Sequence, residues 1–523
     1  MNNWQSITQY QNLAQYIEDT CQRAPDQTAY QCLGKNHTYA EIDQLSTHFA
    51  QWLQHSSGLT AGDRIVIQLP NLTQYPVVAY AALKAGLIIV NTNPLYTPRE
   101  MHHQFNDSGA KALIVLEDLL PKYEAIKDQV GIEQVIVTKA TDLIMPSEVK
   151  QGYLDLMSLI EQGSRLPDLM PSQAKSDDIA ILQYTGGTTG VAKGASLTHA
   201  NILANASQVA HRIEQLPTLK GGNFICPLPL YHIYAFTINM VSLFGLGIPN
   251  TLIPNPRDIA SFVETLKSAP FIGMAGINTL FVGLCHHPDF KNVDFSHLQV
   301  TFSGGSALNS STFDLWKKVT GCTITEGWGL SETSPVVTLN EFSQQEAGCV
   351  GTPLNDTDIQ VWDENNQPLK QGEVGELVVK GPQVMKGYWN RAEDTAKSII
   401  NGYFLTGDIG FEQDNGAIRI VDRMKDMIIV SGFNVYPNEI EEVLCQHPDI
   451  MEAAVVGAAD EKTGECVIAY VVLNSGMELS QQEIEAYCRE NLAAYKVPRK
   501  IIFLEALPKS TVGKVLRREL RTA

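Results

Sequence analysis

Residues 183–201 read QYTGGTTGVAKGASLTHAN: four glycines, four threonines, one lysine and no acid. Just before them, residues 179–182 form a short apolar run that reads as a strand. A strand ending in such a loop can aim free amides at an anion. Gly186, Gly187 and Gly190 let backbone come close, Thr185, Thr188 and Thr189 add hydroxyl donors, and Lys193 adds a charge. The set suits a polyphosphate. It is not a Walker A loop, which needs GxxxxGK[ST]; here Ala192 precedes Lys193 and Gly194 follows it. A plain polar turn uses glycines too, so the loop alone does not decide the matter.

The surroundings narrow it. Upstream, strand and helix patterns alternate. Helical spacing covers 10–21, 75–85 and 97–106, the last opening on Thr-Pro; apolar strands cover 64–70, 87–94 and 112–116. That βαβα rhythm predicts a mainly parallel sheet covered by helices. Residues 139–175 are more polar and less periodic, and read as a surface excursion. Near Asp422 the character changes. Helices are expected at 438–446 and 481–492, with strands at 453–456, 467–473 and 500–504, a small α+β unit.

Bulk properties exclude several classes. The chain has 523 residues, 44% hydrophobic and 18% charged, with formal net charge −19. Such an acidic balance argues against nucleic acid as a partner and against a broad basic membrane footprint. The first twenty residues lack a basic start and an apolar run, so no secretory signal is expected. The richest apolar stretch, VVAYAALKAGLIIV, has only 14 residues and carries Lys84. Nine dispersed cysteines without a CxxC pair suggest reduced core thiols in the cytoplasm. His102-His103 and His286-His287 lack the spaced partners of a metal site.

TGGTTGVAKG resembles the phosphate-binding signature of the adenylate-forming superfamily, which includes acyl-CoA synthetases, luciferases and peptide-synthetase adenylation domains. Ala192 stands where many members carry proline. Six further segments fit in order: PLPLYHIYAF (227–236), SGGSAL (303–308), TEGWGLSET (325–333), YFLTGDIG (403–410), IVDRMKDMIIVSGFNVYPNEIE (420–441) and LPKSTVGKVLRREL (507–520). With NPLYTPRE, PRDI and KGPQVMKGYW, the chain is most similar to the bacterial long-chain fatty acid–CoA ligases. Its 139–175 region is shorter and less basic than in the enterobacterial branch.

The resemblance implies an α/β fold: a large N-terminal lobe of α/β subdomains with mainly parallel sheets over 1–421, and a small mobile α+β C-terminal domain over 422–523. A hinge is implied near 423–425. It implies ATP, CoA, a fatty acid and Mg²⁺ as the small molecules bound. Lys514 would be the mobile catalytic cation, His232 would lie near the acyl carboxylate, and Lys425 would sit at the hinge. Phe236 would gate the acyl tunnel. Gly304, Gly305 and Ser306 would lie against adenine and the acyl chain, with Trp328 and Gly329 in the adenine motif. Trp328 offers a large π-face for stacking. Asp408, expected in a tight turn, would accept both ribose hydroxyls, and Arg423 would reach the ribose. Glu332 and Thr185 would hold Mg²⁺ through hard oxygen ligands. Gly432 and Phe433 belong to a loop that would approach the thiol.

Residue by residue, blander readings compete. A lone histidine is commonly a core residue, Glu332 a solvated acid, and Lys514 one of many exposed lysines. The alternatives are a fatty acyl-AMP ligase loading an acyl carrier protein, a medium-chain or aryl acid CoA ligase, a non-catalytic nucleotide or acyl binder, and a P-loop NTPase. A peripheral contact with the inner membrane and a homodimer are left open.

Overall fold

The computed structural model describes residues 4–145, 151–185, 191–216, 219, 222–510 and 513–521. The run that opens the sequence reading sits at the neck of a hairpin. Strands Ile179–Thr185 and Lys193–Thr198 pair antiparallel, with Thr185 opposite Lys193. Gly186, Gly187, Thr188, Thr189 and Gly190 lie outside the described residues.

This hairpin belongs to an eight-stranded sheet. Its centre is parallel: Gln134–Thr138, Ala112–Leu116, Arg64–Gln68, Ile88–Asn91 and Ile179–Thr185, in that spatial order. Helices Gln74–Lys84 and Pro98–Ser108 make the crossovers. The second starts where the sequence places it, because Thr97 and Glu100 form a capping box and Pro98 suits the first turn. Helix Gln74–Lys84 is buried throughout. Lys84 survives there because its ammonium meets Asp43 at 2.6 Å, Ser46 at 2.9 Å and Thr47 at 2.8 Å. Among the described residues, no helix is long and apolar enough to cross a membrane.

One expectation fails in part. Residues 139–175 are not simply a surface excursion. Strand Leu154–Asp155 pairs parallel with Gln134–Thr138, and helix Leu156–Gly163 buries Leu156, Leu159 and Ile160. Those three stand at i, i+3 and i+4, a helical stripe too short to stand out within a polar stretch. Asp155 caps this helix by accepting from the Ser158 amide at 2.7 Å.

A second sheet has fourteen strands. Asn223–Cys226, Phe271–Gly276, Val300–Ser303 and Ile324–Gly329 run parallel. From Val336 onward the strands turn antiparallel, through Cys349–Pro353, Ile418–Arg423, Tyr403–Glu412, Gly375–Lys380 and Asp358–Trp362. This antiparallel half is absent from the sequence expectation of mainly parallel sheets. Antiparallel neighbours need no crossover helix between them.

The small domain carries a five-stranded sheet, with helices Pro437–Cys445 and Gln481–Asn491 on its core. Asp422 and Arg423 still pair in the large-lobe sheet; the small sheet begins at Ile428–Val430. The chain therefore crosses between lobes over residues 424–427. All nine cysteines are free and seven are buried.

Candidate functional site

The site lies beyond the carboxyl ends of parallel strands, where open α/β sheets receive ligands. Asn223–Cys226 leads into His232, Val300–Ser303 into Gly304, and Ile324–Gly329 carries Trp328. A methyl group placed on Gly304 would lie 3.2 Å from the Gly327 carbonyl oxygen and 3.6 Å from the Tyr234 ring. One placed on Gly305 would lie 3.6 Å from Nζ of Lys514. Ser306, half-buried, follows them. Gly329 is needed for packing, since a Cβ there would sit 1.8 Å from the Pro335 carbonyl oxygen.

Lys514 reaches this floor from the small domain. Its turn closes on itself: the Ser510 amide donates to the Lys514 carbonyl at 2.7 Å, and the Lys514 amide donates to Ser510 Oγ at 3.1 Å. Burial of the ammonium brings its pKa down to about 8. Arg423 and Lys425 act in the same direction, while Asp408 and Glu332 oppose it. Four charges named from scattered motifs thus act on one lysine. His232 is also brought in. Its Nδ1 accepts from the Tyr234 amide at 3.3 Å, which places the proton of the neutral ring on Nε2. Burial, and then the Lys514 charge, push His232 down to about 3, so it is neutral at working pH.

Asp408 lies within strand Tyr403–Glu412 rather than in a tight turn. The expectation of a turn rested on the TGD run. The structure resolves it as a left-handed Gly407, φ 70°, inside a continuous strand. Asp408 Oδ2 accepts from Trp328 Nε1 at 2.8 Å, and Oδ1 lies 2.9 Å from Nε of Arg423, directly across the ladder. Oδ1 makes no well-angled hydrogen bond in that pair. The carboxylate keeps lone pairs for further donors.

Glu332 is buried, and burial raises its pKa; a hydrogen bond from Tyr388, 2.8 Å to Oε1, opposes that rise. Strand Ile179–Thr185 packs against the turn Ser331–Thr333 that bears it, so Thr185 and Glu332 belong to one neighbourhood. Among the described residues, Thr185 Oγ1 makes a long contact, 3.5 Å, to the Lys193 carbonyl. Among the described residues, no group of three or more His, Cys, Asp or Glu could cage a metal. One buried carboxylate and one hydroxyl do fit a Mg²⁺ that keeps waters and takes phosphate oxygens for the rest. Lys193 stands in the strand, paired with Asp394 at 3.2 Å and 5.1 Å from the Tyr388 ring centre.

Phe236 is fully buried and begins a wide i→i+5 helical turn, Phe236–Leu243, a form common at functional sites. Gly432 and Phe433 stand apart from the cluster. Gly432 has φ 85°, and Phe433 is exposed and stacks on Tyr495 of its own domain at 4.8 Å. Lys425 is exposed on the crossing turn Met424–Asp426.

Sequence reasoning missed Tyr388, Asp394 and the anchor of the tail. Tyr388 lies in KGPQVMKGYW, a segment singled out without a role. The tail anchor is Arg517, three residues after Lys514. It donates to Asn438 Oδ1 at 2.7 Å and Glu441 Oε2 at 2.8 Å, and pairs with Asp426 at 3.6 Å. Beside it, burial raises Asp422 to about 6 while its oxygens accept from the Arg423 and Asn438 amides, at 2.7 and 2.8 Å. The Lys514 tail is thereby tied to the crossing between lobes.

The family model "AMP-binding enzyme" matches residues 17–389, and "AMP-binding enzyme C-terminal domain" matches residues 439–514. The chain is 42% identical to the long-chain-fatty-acid–CoA ligase of Escherichia coli O6:H1, covering 98% of this chain and 94% of that protein. Its fold matches the anthranilate CoA ligase AuaEII in complex with anthranoyl-AMP, with TM-score 0.90 at 24% identity, covering 98% of this chain and 97% of that one. ATP-bound MatB from Rhodopseudomonas palustris matches with TM-score 0.86 at 27% identity, covering 98% of each chain.

Proposed function

The chain belongs to the AMP-binding enzymes, and from that premise we propose that it is an AMP-forming long-chain fatty acid–CoA ligase. The observation that carries the reading is Lys514, buried beside Gly305 within the field of Asp408, Arg423, Lys425 and Glu332, with neutral His232 near it. A carboxylate is a poor acyl donor, because its leaving group is an oxide. In the first step the fatty carboxylate oxygen bonds to the α-phosphorus of ATP; the bond to the β-phosphate bridging oxygen breaks and pyrophosphate leaves. Two anions must approach, so cations must line the path. Lys514 supplies one at the acyl floor. Glu332 and Thr185 would hold a Mg²⁺ that comes with ATP, and it would neutralise phosphate charge.

Trp328 and Asp408 orient the nucleoside: the indole presents a face for adenine, and the carboxylate accepts ribose hydroxyls on its remaining lone pairs. His232, fixed as a neutral Nε2–H donor, orients the carboxyl group without adding charge. The glycine–threonine loop cradles the phosphates that depart. In the second step the CoA sulfur bonds to the acyl carbon, the acyl–phosphate bond breaks, and AMP leaves. The small domain turns about residues 424–426, taking Lys514 out and bringing Gly432 and Phe433 towards the thiol. Substituting Lys425 by proline hinders that turn and impairs the second step more than the first.

The test is an assay with Mg-ATP, CoA and carboxylic acids from acetate to oleate. AMP, pyrophosphate and a thioester that peaks with long chains support the reading. A peak at short or aryl acids, or transfer only to a holo carrier protein, replaces the substrate. Orthophosphate, or no AMP with any acid, removes it.

A further inference from the structure

Helix Ser310–Thr320 follows the glycine segment on which Lys514 rests. It begins at Asn309, whose side chain makes no cap hydrogen bond, and it has no acid in its first turn. Its first amides have no acceptor within the helix and sit at the positive end of a helix dipole. The missing cap comes from the other domain. Glu442, on helix Pro437–Cys445, accepts from the Ser310 amide at 3.2 Å through Oε2, and from the Ser310 hydroxyl through Oε1.

From this contact a short path leads to Lys514. The Asn309 amide donates to Asn278 Oδ1 at 3.1 Å. Asn278 opens helix Asn278–His286, and its neighbour Thr279 donates to the Gly513 carbonyl at 3.1 Å. Gly513 is the residue before Lys514. Its φ is 81°, and a Cβ would meet Ile277 at 2.6 Å, so this backbone is pressed against the large lobe. Arg257 adds a grip at 3.3 Å on the Ser510 carbonyl. Glu442 therefore fixes two things together: the helix after Gly304-Gly305-Ser306, and the small domain in the pose that places Lys514 over them.

We propose that Glu442 is a positioning residue for Lys514, acting through a cap supplied across the domain boundary. The inference rests on the ligase reading above. It predicts a loss confined to the step that needs Lys514 in place.

The experiment separates the two steps in the full-length protein: fatty-acid-dependent pyrophosphate exchange into ATP, and thioester formation from supplied acyl-adenylate and CoA. Glu442→Ala is expected to lower exchange kcat roughly three- to tenfold, the size of one helix cap, and Ser310→Ala, which loses the hydroxyl contact but keeps the amide one, by less. KM for ATP and the thioester step are expected to stay within about twofold, since neither uses the cap. Glu442→Gln, which keeps one acceptor oxygen, is expected to recover part of the loss. The double variant is expected to be no worse than Glu442→Ala alone, because that variant already removes both contacts to Ser310. Unchanged exchange, equal losses in both steps, or additive losses overturn the proposal. A wild-type protein that makes no AMP instead overturns the ligase reading, and this inference with it.

Discussion

The large lobe and the small domain hold their site residues in different ways. Trp328, Asp408 and Arg423 are locked to one another by a 2.8 Å hydrogen bond and a 2.9 Å ion pair on paired strands. Lys514 sits on a short self-closed turn, and the large lobe holds that turn through single hydrogen bonds at Arg257 and Thr279. The Trp328–Asp408–Arg423 platform is prebuilt; the Lys514 cation is docked onto it. Electrostatic catalysis gains from rigid donors, whereas a group needed in only one of two steps must be removable.

The sharpest way to break this contrast is to remove the docked cation alone. Lys514→Ala is expected to slow acyl-adenylate formation by about 10² to 10³-fold, the cost of losing one preorganised charge partner. Thioester formation from supplied adenylate is expected to remain close to wild type. Parallel losses in both half-reactions would mean that Lys514 is structural.

The platform side is probed at Trp328. Trp328→Ala removes a π-face and one partner of Asp408, and about a tenfold rise in KM for ATP is expected, the worth of one stacked ring. Trp328→Phe keeps the face and loses only the hydrogen bond. If Phe is as poor as Ala, orientation of Asp408 is the main role and stacking the minor one.

Titration distinguishes the regions again. The desolvated Lys514, at about 8, is charged below that pH and neutral above it. For adenylation, kcat/KM in the free enzyme is thus expected to fall several-fold between pH 7.5 and 9. Lys514→Arg should move that alkaline limb beyond the range, since guanidinium stays charged. A limb that stays in place belongs to another group.

The smallest expected effect lies under the platform. Glu326 is buried in the Trp328 strand, accepts from the Gly348 amide at 2.9 Å, and is pushed by burial up to about 8. An unfolded glutamate releases its proton near 4.5, while the folded one holds it to about 8. Folding stability from this group is present below the lower value and is lost progressively as pH rises towards 8. Glu326→Gln keeps the acceptor and removes the penalty. Its Tm is expected to exceed wild type by about 2 °C at pH 8, with little difference at pH 5. A gain that is larger at pH 5 would reverse the sign and refute the assignment.

Local grammar made part of this legible. The helix at 98–108 is announced by Thr97, Pro98 and Glu100, and the strand at 112–116 by five apolar residues in a row. His232, Trp328, Glu332, Asp408 and Lys514 stand out because each lies in a distinctive run of chain. Partnerships between distant segments did not show. Tyr388 meets Glu332 across 56 positions, Ser310 meets Glu442 across 132, and Arg517 reaches Asn438 across 79. No periodicity encodes such contacts, and each residue alone looks like an ordinary surface group. The antiparallel strands between Val336 and Arg423 also escaped, because strand preference depends on cross-strand and same-face neighbours that the sequence does not show.

What the chain determined by itself is chemical: where glycine- and threonine-rich loops fall, which residues carry charge, and which segments alternate as strand and helix. These follow from residue type and spacing, and need no knowledge of what lies opposite. The tertiary structure alone decided how the charges act. It placed Asp408 between an indole and a guanidinium, and buried the Lys514 ammonium enough to bring its pKa down to about 8. It also lent one lobe's helix a cap from the other. Desolvation and Coulomb interaction depend on distance in space, and only folding sets that distance.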